Sequence, residues 1–132
     1  MRRLREVLRD ERGSSPVEFV LVGTLLTFLT LAVLQLALAI YVRNVVHDAA
    51  VEGAFHAALA DTTLAQGADR TRAIVTRAVG AEYAADVSVT DAGSPGRPEI
   101  RVVVRTTLPL LGLLGAPRGM EVTAHAPAET FD

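Results

Sequence analysis

Side chains capable of catalysis or metal binding are few along this sequence of 132 residues. There is no cysteine, so thiolate nucleophiles, thiolate metal sites and disulfides are excluded. Glu52 and His56 lie one helical turn apart, but no third ligand shares their face, so a surface ion pair is a better interpretation than a metal site. Ser14 and Ser15 have no nearby base of a triad kind. We therefore expect no enzymatic activity, no metal and no cofactor.

Two glycine-bearing segments also fail to indicate a ligand site. Gly93–Gly96 and Gly112–Gly115 lack the strand–helix order and the lysine of a phosphate-binding loop. The formal net charge of −2 is too small to indicate a nucleic-acid partner. With no ligand site indicated, the function is expected to depend on the predicted helices and strands.

The most informative segment is the apolar run that opens at Glu18 and Phe19. No charged residue lies between Phe19 and Val42. As a helix this run is about 36 Å long, enough to cross a hydrocarbon core of about 30 Å. We predict a transmembrane helix over residues 14–42, between a basic leader at 1–13 and a folded part at 43–132.

The distribution of arginines predicts the orientation of this helix. Five arginines precede the run, whereas Arg43 alone lies close to its far end. By the positive-inside rule, the N-terminus is expected in the cytoplasm and residues 43–132 outside it.

The helix start and the polar residues of the span have simple local explanations. Ser15 fits the N-cap position and Glu18 the third helical position, which predicts a capping box. Three hydroxyl groups in the span are expected to bond to the backbone one turn earlier, those of Thr24, Thr27 and Thr30. The amide of Gln35 favours a partner on a neighbouring helix.

Helical periodicity continues beyond the span, and we expect one helix from about Pro16 to Ala60. Small residues such as Ala49, Gly53 and Ala57 would allow another backbone to approach closely. The predicted apolar stripe consists of Val42, Val45, Val46, Ala49, Ala50, Gly53, Ala54, Ala57 and Ala58.

The remaining residues predict a second helix and three strands. The helix is expected from Thr63 or Asp69 to Tyr83, with Ile74, Val75, Ala78, Val79 and Tyr83 turned inward. Alternating apolar and polar residues predict strands at Asp86–Asp91, 99–108 and 121–126. We expect an antiparallel meander packed on the stripe of the long helix, an α+β fold. The connecting leucines, Leu108 to Leu114, form either a covered loop or a contact patch.

A secretory cleavage site is an alternative interpretation of the apolar run. Ala37-Leu38-Ala39 has the small-x-small form that signal peptidase requires. However, the preceding apolar region is about twice as long as a signal core, and helical periodicity continues through the site. Release of a secreted domain after Ala39 is therefore a minor alternative.

Three features together resemble the leader of type IV pilins and pseudopilins: the basic head, Gly13, and the Glu18–Phe19 pair, which follows Gly13 after four intervening residues. The chain is most similar to the TadE-like minor pilins of tight-adherence (Flp-type) systems, since it is longer than the very short major pilin. This resemblance implies cleavage between Gly13 and Ser14 by a prepilin peptidase, which would make Glu18 the fifth residue of the mature chain. It also implies that Glu18 and Phe19 act in subunit assembly, and that the partners are other pilins and platform membrane proteins.

The leading hypothesis is a minor pilin or pilus-assembly subunit in the plasma membrane. A bitopic anchor protein that binds a component of the cell envelope is the main alternative. In the hypothesis, Glu18 pairs with the new N-terminal ammonium of a neighbouring subunit, because a buried charge needs a counter-charge. Residues expected in helix packing are Gln35, Ala49, Gly53 and Ala57.

Overall fold

The computed structural model describes residues 14–107 and 119–129. In order, these form helix α1 (Ser14–Ala58), helix α2 (Leu64–Ala78), a short 3-10 helix (Ala81–Ala84), and strands β1 (Asp86–Asp91), β2 (Glu99–Thr106) and β3 (Met120–Pro127). The predicted leader at 1–13 and the Leu108 to Leu114 segment lie outside the described residues. The α+β fold with one long N-terminal helix, a second helix and a three-stranded antiparallel sheet is confirmed.

The chain divides into two compact units, Met1–Leu36 and Ala37–Asp132. In the first, the described residues belong to α1, and most of their large apolar side chains are exposed. By length and composition α1 can cross a membrane. The hydroxyls of Thr24, Thr27 and Thr30 donate to the carbonyls of Val20, Gly23 and Leu26 at 2.7–2.8 Å, as predicted. These hydroxyls therefore leave no donor unsatisfied on an apolar surface.

The start of α1 differs from the predicted capping box. Ser14, the first described residue, is already helical, so Ser15 lies within the helix and is not its N-cap. Pro16 is compatible with this earlier start, since the first N–H groups of a helix have no intrahelical acceptor and proline lacks an N–H. Glu18 accordingly falls just after the first turn.

In the second unit, α1 and α2 approach each other through glycines. A Cβ atom on Gly53 would lie 1.8 Å from Thr71 Oγ1 and 2.8 Å from the carbonyl oxygen of Gly67. A Cβ on Gly67 would lie 2.4 Å from that of Ala57. Only glycine allows this backbone separation, because any side chain would occupy the space of the facing helix. Thr71 Oγ1 donates to Gly67 O at 3.0 Å and is buried without an unmet donor.

Both ends of α2 are set by local signals. Thr63 and Gln66 form a capping box, in which Thr63 Oγ1 accepts from the Gln66 N–H and Gln66 Oε1 accepts from the Thr63 N–H. Of the two predicted starts of this helix, Thr63 is therefore correct and Asp69 is wrong. At the other end, Gly80 has φ of 123° and its N–H donates to Val75 O at 3.2 Å. The predicted end at Tyr83 is wrong because Gly80 stops the helix first, and the chain re-enters a separate 3-10 turn.

The sheet has the predicted meander order β1-β2-β3, with both pairs antiparallel. Val102 on β2 pairs with Val89 on β1 and with Ala124 on β3. Inward side chains alternate with exposed ones along β2 and β3 as predicted. The inner face forms one core with the helices, through Val42, Val46, Ala49, Ala50, Ala54, Ala57, Ala58, Ala68, Val75, Ala84, Val87, Ile100, Val102, Val104, Met120, Val122, Ala124 and Ala126.

Two predictions about individual side chains are wrong. Ala78 is exposed, whereas it was expected to face inward, because α2 ends at this residue. Glu52 pairs with Arg70, with Glu52 Oε1 lying 2.9 Å from Arg70 Nη2, whereas His56 was its predicted partner. The guanidinium comes from the facing helix and reaches the carboxylate in a geometry that sequence spacing on α1 does not reveal.

Candidate functional site

The residues predicted to act in processing and assembly lie at the start of α1. Gly13 lies outside the described residues, and Ser14 is the first residue of the helix. Glu18 and Phe19 are exposed, and 80 % of the Phe19 surface is accessible. An exposed carboxylate beside an exposed aromatic ring, at the start of an apolar helix, provides one charged group and a large apolar contact area for a neighbouring helix.

The four predicted packing residues fall into two groups. Gln35 belongs to the first unit and is half-buried. Ala49, Gly53 and Ala57 are buried in the second unit, and the latter two face α2 of the same chain. The small residues therefore bring two helices of one chain together.

Sequence reasoning missed the partners of this stripe. Gly67 and Thr71 lie one turn apart on α2 and contact Gly53 and Ala57. The signal was present as a second pair of small residues with a spacing of four, opposite the first in a helical hairpin. A search for matching small-residue spacings on consecutive helices would have found them.

Two ion pairs lie on the exposed side of the sheet. On the outer face of the sheet, Arg105 Nε lies 2.7 Å from Glu121 Oε2 and His125 Nδ1 lies 2.5 Å from Glu99 Oε1. The latter pair lines an open cleft of about 420 Å³, formed by residues 97–99 and 125–128. Among the described residues, no serine, threonine or tyrosine lines that cleft, so these residues provide no hydroxyl nucleophile next to the imidazole.

The described histidine and acidic side chains are too dispersed to form a metal site. Within residues 14–107 and 119–129, no group of three histidine, aspartate or glutamate side chains lies close enough to hold a metal ion. The candidate site is therefore the N-terminal part of the apolar helix α1, where Glu18 lies.

Residues 13–54 match the family model described as TadE-like protein. This segment of the chain is TadE-like. The TadE-like segment includes Gly13, Glu18 and most of α1, so the resemblance read from the sequence is confirmed there. The match covers less than half of the chain. No curated protein and no solved structure matches the chain.

Proposed function

We propose that this chain is a minor pilin or pilus-assembly subunit of a tight-adherence pilus system, with a structural and not an enzymatic role. The observation that carries the proposal is the continuity of α1, which runs unbroken from Ser14 to Ala58 within a TadE-like segment. One helix thus supplies both the exposed apolar span and the stripe on which the second unit packs. A subunit built this way is held by lipid before assembly and by neighbouring helices after it.

The proposed processing site lies between Gly13 and Ser14. Ser14, the first described residue, is helical, so the proposed mature chain would carry the described part of α1 intact. The product would start with a free ammonium at the first helical residue and would carry Glu18 one turn further on. A prepilin peptidase is the proposed processing partner, acting on the cytoplasmic side.

Glu18 is proposed to set the axial register between subunits. A free ammonium packed among apolar helices is unfavourable unless it meets a counter-charge. A neighbour's Glu18 would provide that charge, while large side chains such as Phe19 would provide most of the contact area. One carboxylate has enough acceptor positions to make a local contact and an intersubunit contact together.

The proposed location is the plasma membrane, with the N-terminus in the cytoplasm and the second unit on the outside. The positive-inside distribution of arginines supports this orientation. Other pilins and the platform membrane proteins of the pilus machine are the proposed assembly partners, and the lipid bilayer is the surroundings of α1 before assembly.

N-terminal sequencing of the membrane-associated protein tests the proposal. An N-terminus at Ser14 is the expected result in cells with an active prepilin peptidase. An intact Met1 would overturn it in favour of a bitopic anchor protein, and a start at Ile40 would indicate secretion after Ala39. Gly13→Leu should block cleavage and leave the topology unchanged.

The role of Glu18 is tested by two variants, of which only Glu18→Gln keeps the shape of the side chain. Glu18→Ala removes both the charge and the hydrogen-bond acceptor, whereas Glu18→Gln keeps an acceptor and removes only the charge. Both should insert normally and lose co-purification with other pilins. If Glu18→Gln assembles like the unmodified chain, the carboxylate acts only on its own helix and the register proposal is wrong.

A further inference from the structure

The two edges of the sheet differ in whether their backbone groups have partners. The N–H of Ala92 donates to Glu99 O at 2.8 Å, which marks a hydrogen-bonded position between the first two strands. Because such positions alternate in an antiparallel pair, Val87 directs its N–H and C=O away from β2. Arg72 Nη2 donates to that carbonyl at 3.0 Å. A side chain of α2 therefore occupies the β1 edge.

The same argument identifies the outward-facing groups of β3. The N–H of Ala128 donates to Pro98 O at 3.0 Å, directly beyond the last register pair. Alternation from this position turns the backbone groups of Glu121, Thr123 and His125 away from β2. Across the described parts of the chain, no strand pairs with this edge.

The residues of β3 itself carry few of the features that usually prevent strand pairing. Its eight residues include no lysine or arginine and no inward-facing charge. Its inward side chains, those of Met120, Val122, Ala124 and Ala126, are all buried. Pro127 protects only the end of the strand. Such a straight, half-polar edge is suited to adding another strand.

We propose that β3 pairs with β3 of a second copy of this chain, antiparallel and about a twofold axis at Thr123. In this register Thr123 lies opposite itself and Glu121 lies opposite His125 of the other copy. All three outward N–H groups of each copy then meet a carbonyl of the other. An axis one residue earlier would place His125 opposite Gly119, and one residue later Glu121 opposite Pro127, which has no N–H.

The side chains on the outer face favour a second copy over an unrelated strand. Glu121 already contacts Arg105, and His125 already contacts Glu99, at 2.7 Å and 2.5 Å. In the twofold register, Glu121 of one copy lies opposite His125 of the other. The two existing pairs then form one row across the interface, in which basic and acidic groups alternate. Opposite charges and paired threonines are both favourable as direct cross-strand neighbours. The twofold contact forms the Glu121–His125 interaction twice and the threonine pair once, on the axis.

Disulfide trapping of the full-length chain in detergent tests the pairing, since the sequence contains no cysteine. At a hydrogen-bonded antiparallel position the Cα atoms lie about 5.5 Å apart, within the range for a disulfide. With mild oxidant, Thr123→Cys should give a covalent dimer. Thr90→Cys is the matched control, because it is an exposed threonine on the other edge strand and should remain monomeric.

Two further variants test the register. Glu121→Cys and His125→Cys should each stay monomeric alone and form a mixed disulfide when the two chains are combined. Thr123→Pro should abolish the dimer and keep the fold, since the N–H it removes makes no bond within its own sheet. A monomeric Thr123→Cys, equal cross-linking of Thr90→Cys, or self-linking of Glu121→Cys would each overturn the proposal. None of these results depends on cleavage at Gly13 or on the role of Glu18.

Discussion

The two halves of α1 bear apolar side chains that meet different surroundings. In the first half the side chains are large and exposed, with 80 % of Phe19 and 67 % of Leu25 accessible. In the second half they are smaller and enclosed, and both Val46 and Ala49 are fully buried. Both halves are apolar, yet only the second is covered by the chain's own residues.

This difference shows that side-chain size distinguishes the two surroundings better than hydropathy does. Large residues cover the helix with apolar surface, which is what contact with lipid requires. Small residues are needed where a second backbone must approach, as at Gly53 and Gly67. A sequence that changes from large to small apolar residues within one helix therefore marks where packing against protein begins.

The largest expected difference between the halves comes from adding bulk at a glycine. Gly53→Leu should destabilise the second unit by about 3 kcal/mol or more, because a backbone carbonyl and Thr71 occupy the required space. Gly23→Leu is the matched change in the first half, where no atom lies within 4 Å of the added Cβ. Thermal unfolding in detergent, followed by circular dichroism, should show a lower midpoint only for Gly53→Leu. Equal midpoints would mean that the helices do not pack as described.

An added charge, in contrast to added bulk, should affect the first half of α1 and not the second. Leu29 and Phe55 are similarly exposed, at 58 % and 55 %. Leu29→Arg should oppose membrane insertion by about 3 kcal/mol, whereas Phe55→Arg should not affect it. The fraction of chain that resists alkaline extraction from membranes measures this effect. Normal insertion of Leu29→Arg would contradict the assignment of the first half to lipid.

Removing methyl groups should give an intermediate effect. Val46→Ala is expected to lower the free energy of unfolding by about 2 kcal/mol, since it leaves a cavity in a fully buried site. Val33→Ala removes the same atoms from an exposed position and should leave unfolding of the second unit unchanged. Denaturant titration of both variants measures this difference. Equal shifts of the two unfolding midpoints would contradict the prediction.

The smallest effect is expected on the polar side of the second half. Glu52→Gln removes the negative charge that faces Arg70, but both side chains are about half exposed, so the loss of stability should not exceed about 1 kcal/mol. Asp48→Asn is a control on the same face of α1, with an exposed side chain. Added salt should reduce the difference between the two variants, because it screens exposed charges.

Periodicity in the sequence predicted most of the fold. The inward positions of the strands followed from alternation, because one face of the sheet is buried and the other is wet. The end of α2 was predicted wrongly, since the apolar pattern continues past Gly80 although the backbone there adopts a positive φ. Greater weight on that glycine, and on the Thr63 and Gln66 capping pair, would have given both ends correctly.

The contacts between elements were less predictable. The Glu52–Arg70 pair joins residues 18 positions apart on different helices, and neither helix pattern alone indicates that they meet. The same limit applies to Gly67 and Thr71, whose importance depends on the position of Gly53 in the folded chain. The apolar span of α1 was recognisable from sequence because length and composition are local properties, whereas packing partners depend on tertiary structure.

The end of α1, at Ala58, is joined to the C-terminal part of the chain in a way that bears on the order of folding. The last described residue, Glu129, donates its N–H to the carbonyl of Ala58, at the end of α1. The helical hairpin of α1 and α2 involves contacts close in sequence and can form early, whereas this bond joins residues about half the chain apart. A chain emerging N-terminus first therefore has its long helix and hairpin before the sheet can cover them. Until β3 is synthesised and pairs with β2, part of the apolar stripe is accessible to other chains. The rate at which the sheet forms therefore determines whether the stripe packs within its own domain.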